Sequence, residues 1–386
     1  MRKKISYTVL SFIHDSRSVG IILLLCTAFS LIAANLPFGK IYTGFWEKEI
    51  PLFHALHLPH SIQHFINDGL MAVFFFLAGM EIKREMLMGE LSSVKQAMLP
   101  VIAAISGVAL PAIIFLLFNS GTDFRHGWAI PTATDIAFSL GIVALLGKKV
   151  PDSLRIFLTA LAIIDDLIAI LVIALFYGSA IHWFFLLGAV VIAILLFFLN
   201  KIIKQKWQWL RLLPGVALWF CMYHSGIHAT VAGVVFALLL PKDLLKVYEK
   251  KLHVFVNFIV IPVFVLANTS IALPPDFTGA FASALSWGII AGLFIGKPLG
   301  IAGVSFCMIK SGLAKMPGGA SPRQFLGVSI LAGIGFTMSI FVSSLAFNND
   351  AAISMAKIAV IAGSFLSMIA GFVWLKCIRP VRFGKT

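Results

Sequence analysis

Long apolar segments, separated by short polar loops, follow one another along almost all of this 386-residue chain. A bilayer core about 30 Å thick needs roughly 20 apolar residues per helix, and on that spacing the sequence predicts about twelve spans. With 60% hydrophobic and only 12% charged residues, the composition excludes an ordinary soluble domain. The predicted fold class is all-α, a polytopic membrane protein with residues 1–386 in a single domain. The predicted spans begin near Ser18, Ile62, Ala97, Trp128, Arg155, Trp183, Trp207, Gly226, Val254, Ala284, Phe325 and Ala351.

The basic residues are distributed unevenly between successive loops. Nearly all of the 30 Lys and Arg residues fall into alternate loops; the exceptions are Lys297, inside a span, and Lys40, Lys48, Arg125 and Lys357. Loops rich in basic residues stay on the cytoplasmic side of a membrane. The alternation therefore predicts cytoplasmic N- and C-termini. It also explains the formal charge of +14, because the excess of basic residues sets the orientation of the chain in membrane lipid. No nucleic acid partner is expected.

Two of the predicted spans contain residues that interrupt helices. The segment "GWAIPTATDIAFSLG" carries Pro131 and Thr134 in its middle, and "LAGIGFTMSIF" carries Gly333 and Gly335. Backbone freed by Pro or Gly is tolerated at membrane depth only where it lines a protein-walled cavity. These are the fourth and eleventh predicted spans, which are seven spans apart. Each span reverses the direction of the chain across the membrane, so repeats offset by an odd number of spans have inverted orientations. Matched interruptions of this kind indicate the binding site of a transporter.

Four charged residues lie inside the apolar spans, namely Asp135, Asp165, Asp166 and Lys297. An ionised side chain at the centre of a span costs roughly 2.5 to 3.5 kcal/mol, so these side chains must face a cavity or one another. One interpretation is a buried ion pair that only locks helices together. Three acids and one base cannot neutralise one another, however, so at least one carboxylate remains for another task.

The neighbours Asp165 and Asp166 point about 100° apart on a helix, so their tasks are expected to differ. One can pair with Lys297 while the other faces an aqueous path. A carboxylate that binds either a proton or a hard cation such as Na+ or Li+ is an exchange device, and Thr134 can add an oxygen ligand beside Asp135. The negative charge of Asp135 can also offset the partial positive charge where a half-helix begins, and the positive charge of Lys297 can offset the partial negative charge where one ends.

Other functions remain open at this point. A sodium-coupled carrier for an organic solute would need donors for the solute, and Lys297 is the only strong base in the spans. An intramembrane aspartyl protease uses two buried aspartates, but it presents a Gly-x-Gly-Asp element where this chain has "TATD" and "IIDD". A retinal-binding photoprotein has seven helices. We therefore expect a carrier and not an enzyme. His228 is either a hydrogen-bonded packing residue or a proton sensor.

Seven segments carry a family resemblance: "INDGLMAVFFFLAGMEIKRE", "PVIAAISGVALPA", "GWAIPTATDIAFSLG", "IFLTALAIIDDLIAI", "SGIHATVAGV", "IIAGLFIGKPLGI" and "GIGFTMSIFVSSLAF". Their order and spacing resemble those of the bacterial Na+/H+ antiporters of the NhaA type, an established example of inverted repeats. The resemblance implies twelve helices, two of them interrupted and crossing at mid-membrane. It implies an inner-membrane protein that exchanges cytoplasmic Na+ or Li+ for external H+, electrogenically and without a cofactor, for sodium and pH homeostasis.

The resemblance also implies roles for individual residues. Asp166 is the expected principal ligand of the transported Na+ or Li+, and Asp165 exchanges between Lys297 and the ion. Asp135 and Thr134 lie where the interrupted helices cross. The expected pH-sensing residues on the cytoplasmic side are Glu81, Arg84, Glu85, Glu249 and His253.

Two departures from the family pattern limit what the resemblance implies. Lys250 follows Glu249 where the best-known members carry a histidine, so the pH threshold does not carry over. The segment between the first two spans is shorter than the hairpin that joins homodimers in those members. A homodimer is therefore a weaker inference than transport.

Overall fold

The computed structural model describes residues 16–51, 53, 58–202, 209–273 and 283–378. The described chain is helical and contains no β-strand, apart from one isolated bridge between Glu49 and Ser61. The helices in chain order are α1 (Ser16–Asn35), α2 (Gly39–Glu47), α3 (Ile62–Met88), α4 (Val94–Asn119), α5 (Ile136–Leu146), α6 (Asp152–Phe176), α7 (Trp183–Ile202), α8 (Leu212–His224), α9 (Val231–Leu239), α10 (Lys242–Asn268), α11 (Ala284–Lys310), α12 (Pro322–Leu331), α13 (Phe336–Ala346) and α14 (Asp350–Cys377). This architecture is that of a multi-pass membrane protein, as the hydropathy predicts.

The number of helices long enough to cross a bilayer is smaller than the number of predicted spans. Within the described residues, nine helical segments are long and apolar enough, or ten if the bent pair α12 and α13 counts as one span. The other two predicted spans correspond to α8 and α9, which have 13 and 9 residues. The predicted start of the first of these, near Trp207, lies outside the described residues.

Both predicted interruptions are present. A 3-10 helix, Asp123–Thr132, precedes α5, and residues 133–135 between them are non-helical. Residues 332–335 separate α12 from α13, and the two helices are bent by 42°. The inverted relationship between the two spans stays a prediction, as does the side on which the termini lie, because residues 1–15 and 379–386 are outside the described residues.

The chain is divided into two compact units. Unit 1 comprises Met1–Leu24, Glu90–Ala169 and Leu273–Thr386. Within it, α4 packs closely on α11. A Cβ atom at Gly300 would lie only 2.4 Å from the Ser106 carbonyl oxygen, so the absence of a side chain at Gly300 permits this approach. The Ser106 hydroxyl donates to the Gly300 carbonyl at 2.9 Å. Small residues of this kind let membrane helices approach along their backbones.

Unit 2 comprises Leu25–Gly89 and Ile170–Ala272. In this unit α3 and α9 approach closely, and a Cβ atom at Gly233 would lie 2.2 Å from the Ala72 carbonyl oxygen. Lys83 of α3 donates to the Leu238 and Leu240 carbonyls at the end of α9. A cation there satisfies carbonyls that have no helical partner and offsets the partial negative charge of the helix end.

Three π-helical turns interrupt long helices of the described chain, and proline accounts for two of them. The turns Val256–Val260 and Gly292–Gly296 are each followed, two residues later, by Pro262 and Pro298. Proline has no N–H, so a carbonyl one turn earlier loses its donor, and the backbone widens locally. The turn in α11 ends next to Lys297 and so sets the position of that side chain. The third turn, Ile66–Leu70, has no proline after it.

Candidate functional site

The first interruption is organised by Asp135. This residue has an extended backbone and is the N-cap of α5, where its Oδ1 accepts from the Phe138 N–H at 3.0 Å. An aspartate suits this position, since the first N–H groups of a helix have no partner within it and carry a partial positive charge. Pro131 lies in the preceding 3-10 helix, and Asp135 is buried with 2% of its surface exposed.

The two interruptions contact each other directly. The Asp135 N–H donates to the Ile334 carbonyl at 2.6 Å, and the Thr134 hydroxyl donates to the Ala332 carbonyl at 2.9 Å. Each unwound segment thus satisfies backbone groups that the other leaves without a helical partner, which a membrane protein requires. Thr134 is fully buried and serves as a tie between the segments.

Asp135 also reaches the second interrupted span. Its Oδ2 accepts from the Thr337 N–H at 3.0 Å and from the Thr337 hydroxyl at 2.5 Å. Thr337 lies in the first turn of α13, so a single carboxylate binds N–H groups at the starts of two half-helices. Thr337 lies in the segment "GIGFTMSIF", but residue type and spacing alone did not single it out. A threonine just after a glycine-rich interruption was the available signal.

Asp165 and Lys297 form a buried ion pair. The Lys297 ammonium lies 2.5 Å from Asp165 Oδ2, and neither side chain has any exposed surface. The ammonium also donates to the Thr132 carbonyl, at the end of the 3-10 helix. Lys297 therefore meets two negative groups, a carboxylate and the partial charge of a helix end. Thr132 contributes through its main chain, which residue type alone does not predict.

Asp166 is buried next to this pair, with 2% of its surface exposed. The ion pair of Lys297 is with Asp165, so the two neighbouring aspartates have unlike surroundings. Asp165 uses one oxygen for the lysine, and its Oδ1 has no hydrogen-bond partner among the described residues. Oxygen atoms of buried carboxylates are ligands that hard cations prefer.

Unit 1 holds more buried acid than buried base. Its described residues include three buried carboxylates and two buried lysines, because Lys357 is 5% exposed within α14. The charge alternation counted Lys357 among the few basic residues of the opposite side, and in the structure it lies within α14, which begins at Asp350.

The predicted pH-sensing residues do not all meet in one cluster. In unit 2, Arg84 forms ion pairs with Glu249 and with Glu85, each at 2.9 Å. Glu81 lies one helical turn before Glu85 on α3, on the same face. His253 is one turn after Glu249 on α10, and its ring contacts the Asn257 side chain at 3.2 Å.

His228 is in a different environment. Its Nε2 lies 2.5 Å from the Tyr177 carbonyl oxygen. A carbonyl oxygen can only accept a hydrogen bond, so Nε2 is the ring nitrogen that carries the proton and donates. The contact joins the segment before α9 to the end of α6. This geometry fits the interpretation of His228 as a hydrogen-bonded packing residue.

Comparison with known proteins assigns the chain to a family. The family model described as Na+/H+ antiporter 1 matches residues 10–375. The chain is 45% identical to Na(+)/H(+) antiporter NhaA 1 of Clostridium beijerinckii, over 98% of this chain and 97% of the relative. It is 48% identical to Na(+)/H(+) antiporter NhaA 2 of Flavobacterium johnsoniae, over 94% and 91%. It is 44% identical to Na(+)/H(+) antiporter NhaA of Cytophaga hutchinsonii, over 97% and 96%. This chain belongs to the NhaA-type Na+/H+ antiporter 1 family of multi-pass membrane proteins.

Proposed function

We propose that this protein is a secondary antiporter that exchanges cytoplasmic Na+ or Li+ for external H+ in the inner membrane of a bacterium. Residues 1–386 act as one transport domain, and both termini face the cytoplasm. The exchange moves more protons than cations and is therefore electrogenic. It needs no cofactor, and it serves sodium and pH homeostasis. Family membership supports the exchange of Na+ for H+, and the asymmetric distribution of Lys and Arg supports the orientation.

The ion pair of Lys297 with Asp165, beside the buried Asp166, carries this proposal. A purely structural ion pair would need one acid for its base, whereas buried carboxylates outnumber buried lysines in the described part of unit 1. A charge that remains buried in a membrane protein is typical of an ion pathway or proton relay. The excess negative charge is neutralised when a carboxylate binds either a cation or a proton. Because the two cannot bind the same carboxylate together, each displaces the other, and this competition is the basis of exchange.

Each residue has a role in this scheme. Asp166 is the principal ligand of the cation, and Asp165 adds a second carboxylate when it leaves Lys297. The Lys297 ammonium returns to Asp165 when the cation departs, so the site never holds two bare carboxylates without a counter-charge. Thr134 and Asp135 are positioning residues, because their hydrogen bonds are used to join the two interruptions.

The central test uses inverted membrane vesicles that hold an imposed proton gradient. Addition of Na+ or Li+ is expected to collapse the gradient with the unmodified protein, whereas K+ has no effect. Asp166→Asn removes one negative charge from the site and is expected to abolish the response. Asp152→Asn is the matched control, since Asp152 starts the same helix and its side chain is 90% exposed.

The outcomes separate this proposal from the other candidates. Full exchange by Asp166→Asn would overturn the assignment of Asp166. Gradient collapse that requires an organic solute together with Na+ would indicate a symporter. Exchange that generates no membrane potential would overturn electrogenicity while leaving antiport in place. The comparisons do not favour an intramembrane protease.

A further inference from the structure

The short helix α2, which follows α1, carries apolar side chains that the protein does not cover. Ile41 is 78% exposed and Phe45 is 53% exposed, and Phe38, the N-cap of the helix, is 51% exposed. Residues three, four and seven apart lie on the same side of a helix, so these side chains form one exposed apolar face. An apolar face that a folded chain leaves open indicates an interaction surface.

A second face of α2 packs against the rest of unit 2. Trp46 is buried, and the Tyr42 hydroxyl lies 3.0 Å from the Ser30 hydroxyl of α1 and 3.3 Å from the Leu266 carbonyl oxygen of α10. The Ser30 hydroxyl also donates to the Leu266 carbonyl at 2.7 Å. The helix is therefore docked on two longer helices, and its exposed apolar face points in a fixed direction.

The third face of α2 is polar. Lys40 and Glu47 are exposed there, and Thr43 lies between them. With nine residues, α2 is far too short to cross a bilayer. A helix with one charged side and one exposed apolar side lies along the boundary between lipid and water, with its apolar side chains among the upper parts of the acyl chains. Tyr42 and Trp46 fit this position, because both residue types are enriched at membrane interfaces.

The exposed apolar face continues a surface that faces lipid. Helix α1 is long and apolar enough to span the membrane, and its Leu25, Phe29 and Ile32 are each more than half exposed. Exposed apolar side chains of a spanning helix contact acyl chains. The Phe29 ring contacts the Tyr42 ring, with centroids 6.2 Å apart, and the exposed Leu36 lies in the turn between α1 and α2. Lipid that covers α1 therefore reaches the exposed apolar face of α2.

A second copy of the chain is a less suitable partner for this face. At the exposures given above, its three side chains present on the order of 400 Å². Stable protein interfaces bury about 800 Å² per partner. Lipid has no such threshold, because each apolar group that enters the acyl region contributes in proportion to its area.

We infer that α2 is an interfacial anchor: Phe38, Ile41 and Phe45 insert among the acyl chains of the outer leaflet, while Lys40 and Glu47 stay in water. Because α2 is docked on α1 and α10, this contact sets the depth of unit 2 in the bilayer. The choice of leaflet depends on the proposed orientation of the chain. The contact itself does not depend on ion exchange, so a failure of the transport assay would leave this inference untouched.

The test locates α2 by spin labelling of the full chain in phosphatidylcholine vesicles. In a variant whose four cysteines are replaced by alanine, a nitroxide is attached to Ile41→Cys or to Phe45→Cys. Oxygen concentrates in the acyl region, whereas a nickel chelate stays in water, so power saturation with each reagent reports the surroundings of the label. Glu47→Cys is the matched control, since it lies on the polar face of the same helix. All three positions are exposed, so the label replaces no buried side chain.

The access of the two reagents to each label decides between the possible surroundings. Labels at positions 41 and 45 are expected to be relaxed several-fold more by oxygen than by the nickel chelate, and the label at position 47 is expected to show the reverse. Equal access of the nickel chelate to all three labels would overturn the inference, because the exposed apolar face would then lie in water. Exclusion of both reagents at positions 41 and 45, with spectral broadening between labels on different molecules, would also overturn it, because that result indicates a second copy on the face.

Discussion

The carboxylate of Asp135 accepts hydrogen bonds from both the N–H and the hydroxyl of Thr337, so one acidic side chain joins the two interrupted spans of unit 1. The same carboxylate caps α5 through the Phe138 N–H. Unwound backbone in a membrane needs partners supplied by the protein, and here an acid at one interruption supplies them to the start of the other half-helix.

Replacement of Thr337 should show how much this link stabilises the protein. Thr337→Val keeps the shape and the N–H but removes the hydroxyl, so it is expected to lower the free energy of unfolding by about 1.5 to 3 kcal/mol. Thr337→Ser retains the hydroxyl and should lose less. Thermal unfolding in detergent measures both. A loss in Thr337→Val that is no larger than the loss in Thr337→Ser would contradict the prediction, because the hydroxyl would then contribute no more than the methyl group.

Removal of Lys297 should leave Asp165 as an uncompensated buried charge. Lys297→Ala is expected to lower the free energy of unfolding by about 3 to 5 kcal/mol, whereas Lys297→Ala/Asp165→Asn loses less than the sum of the two single variants. The comparison of the four proteins by thermal unfolding gives the coupling between the side chains. Additive losses would show that the ion pair contributes nothing beyond its separate parts.

The same variant should alter proton coupling. If Lys297 returns to Asp165 whenever the cation departs, Lys297→Ala changes the electrogenicity and the pH dependence of exchange more than the preference for Na+ over K+. Vesicle assays of gradient collapse and membrane potential record these quantities separately. Unchanged pH dependence and unchanged electrogenicity would rule out a coupling role for Lys297.

Competition between Na+ and H+ for the aspartates predicts a specific pH dependence. On the acidic side of the site's titration, the KM for Na+ should rise at least tenfold for each unit by which the pH falls, because at least one bound proton must leave for each cation that binds. The maximal rate at saturating Na+ should change far less. A KM that is independent of pH while the maximal rate falls would place the pH effect outside the ion site.

The ion-pair cluster of Arg84, Glu85 and Glu249 should affect regulation more than stability. The Arg84 side chain is 34% exposed, and partly exposed ion pairs of this kind contribute about 1 kcal/mol or less. Arg84→Gln is therefore expected to shift the pH profile of exchange with little change in thermal unfolding. Arg125→Gln is a control outside the cluster. Coincident pH profiles of the unmodified chain and Arg84→Gln would argue against sensing by this cluster.

Gly333 should tolerate no side chain. A Cβ atom there would lie 2.4 Å from the Leu293 carbonyl oxygen and 2.8 Å from the Ser367 hydroxyl, so Gly333→Ala is expected to destabilise the protein by about 1 to 3 kcal/mol. Gly303→Ala is the contrast, since nothing lies within 4 Å of its position in α11. That variant should be neutral or stabilise by up to about 1 kcal/mol. The prediction fails if both variants unfold at the same temperature.

The helical membrane fold could be predicted from hydropathy, because each span must satisfy its own backbone and shield it with apolar side chains. Both interruptions could also be predicted, since Pro131 and the pair Gly333 and Gly335 weaken helices wherever they occur. The lengths of α8 and α9 could not be predicted. Apolar composition does not reveal where a helix ends when the flanking residues are apolar as well.

The four charged residues Asp135, Asp165, Asp166 and Lys297 could likewise be identified from the sequence, because ionised side chains in apolar spans are energetically costly and rare. Residue types and spacing left open which aspartate pairs with Lys297, because 132 positions separate Asp165 from that lysine; the family resemblance indicated Asp165, and the tertiary structure forms this pair. Only the tertiary structure decided that Thr337 shares Asp135 and that Lys357 is buried. Partners distant in the chain are chosen by helix packing, and local residue patterns carry no information about that choice.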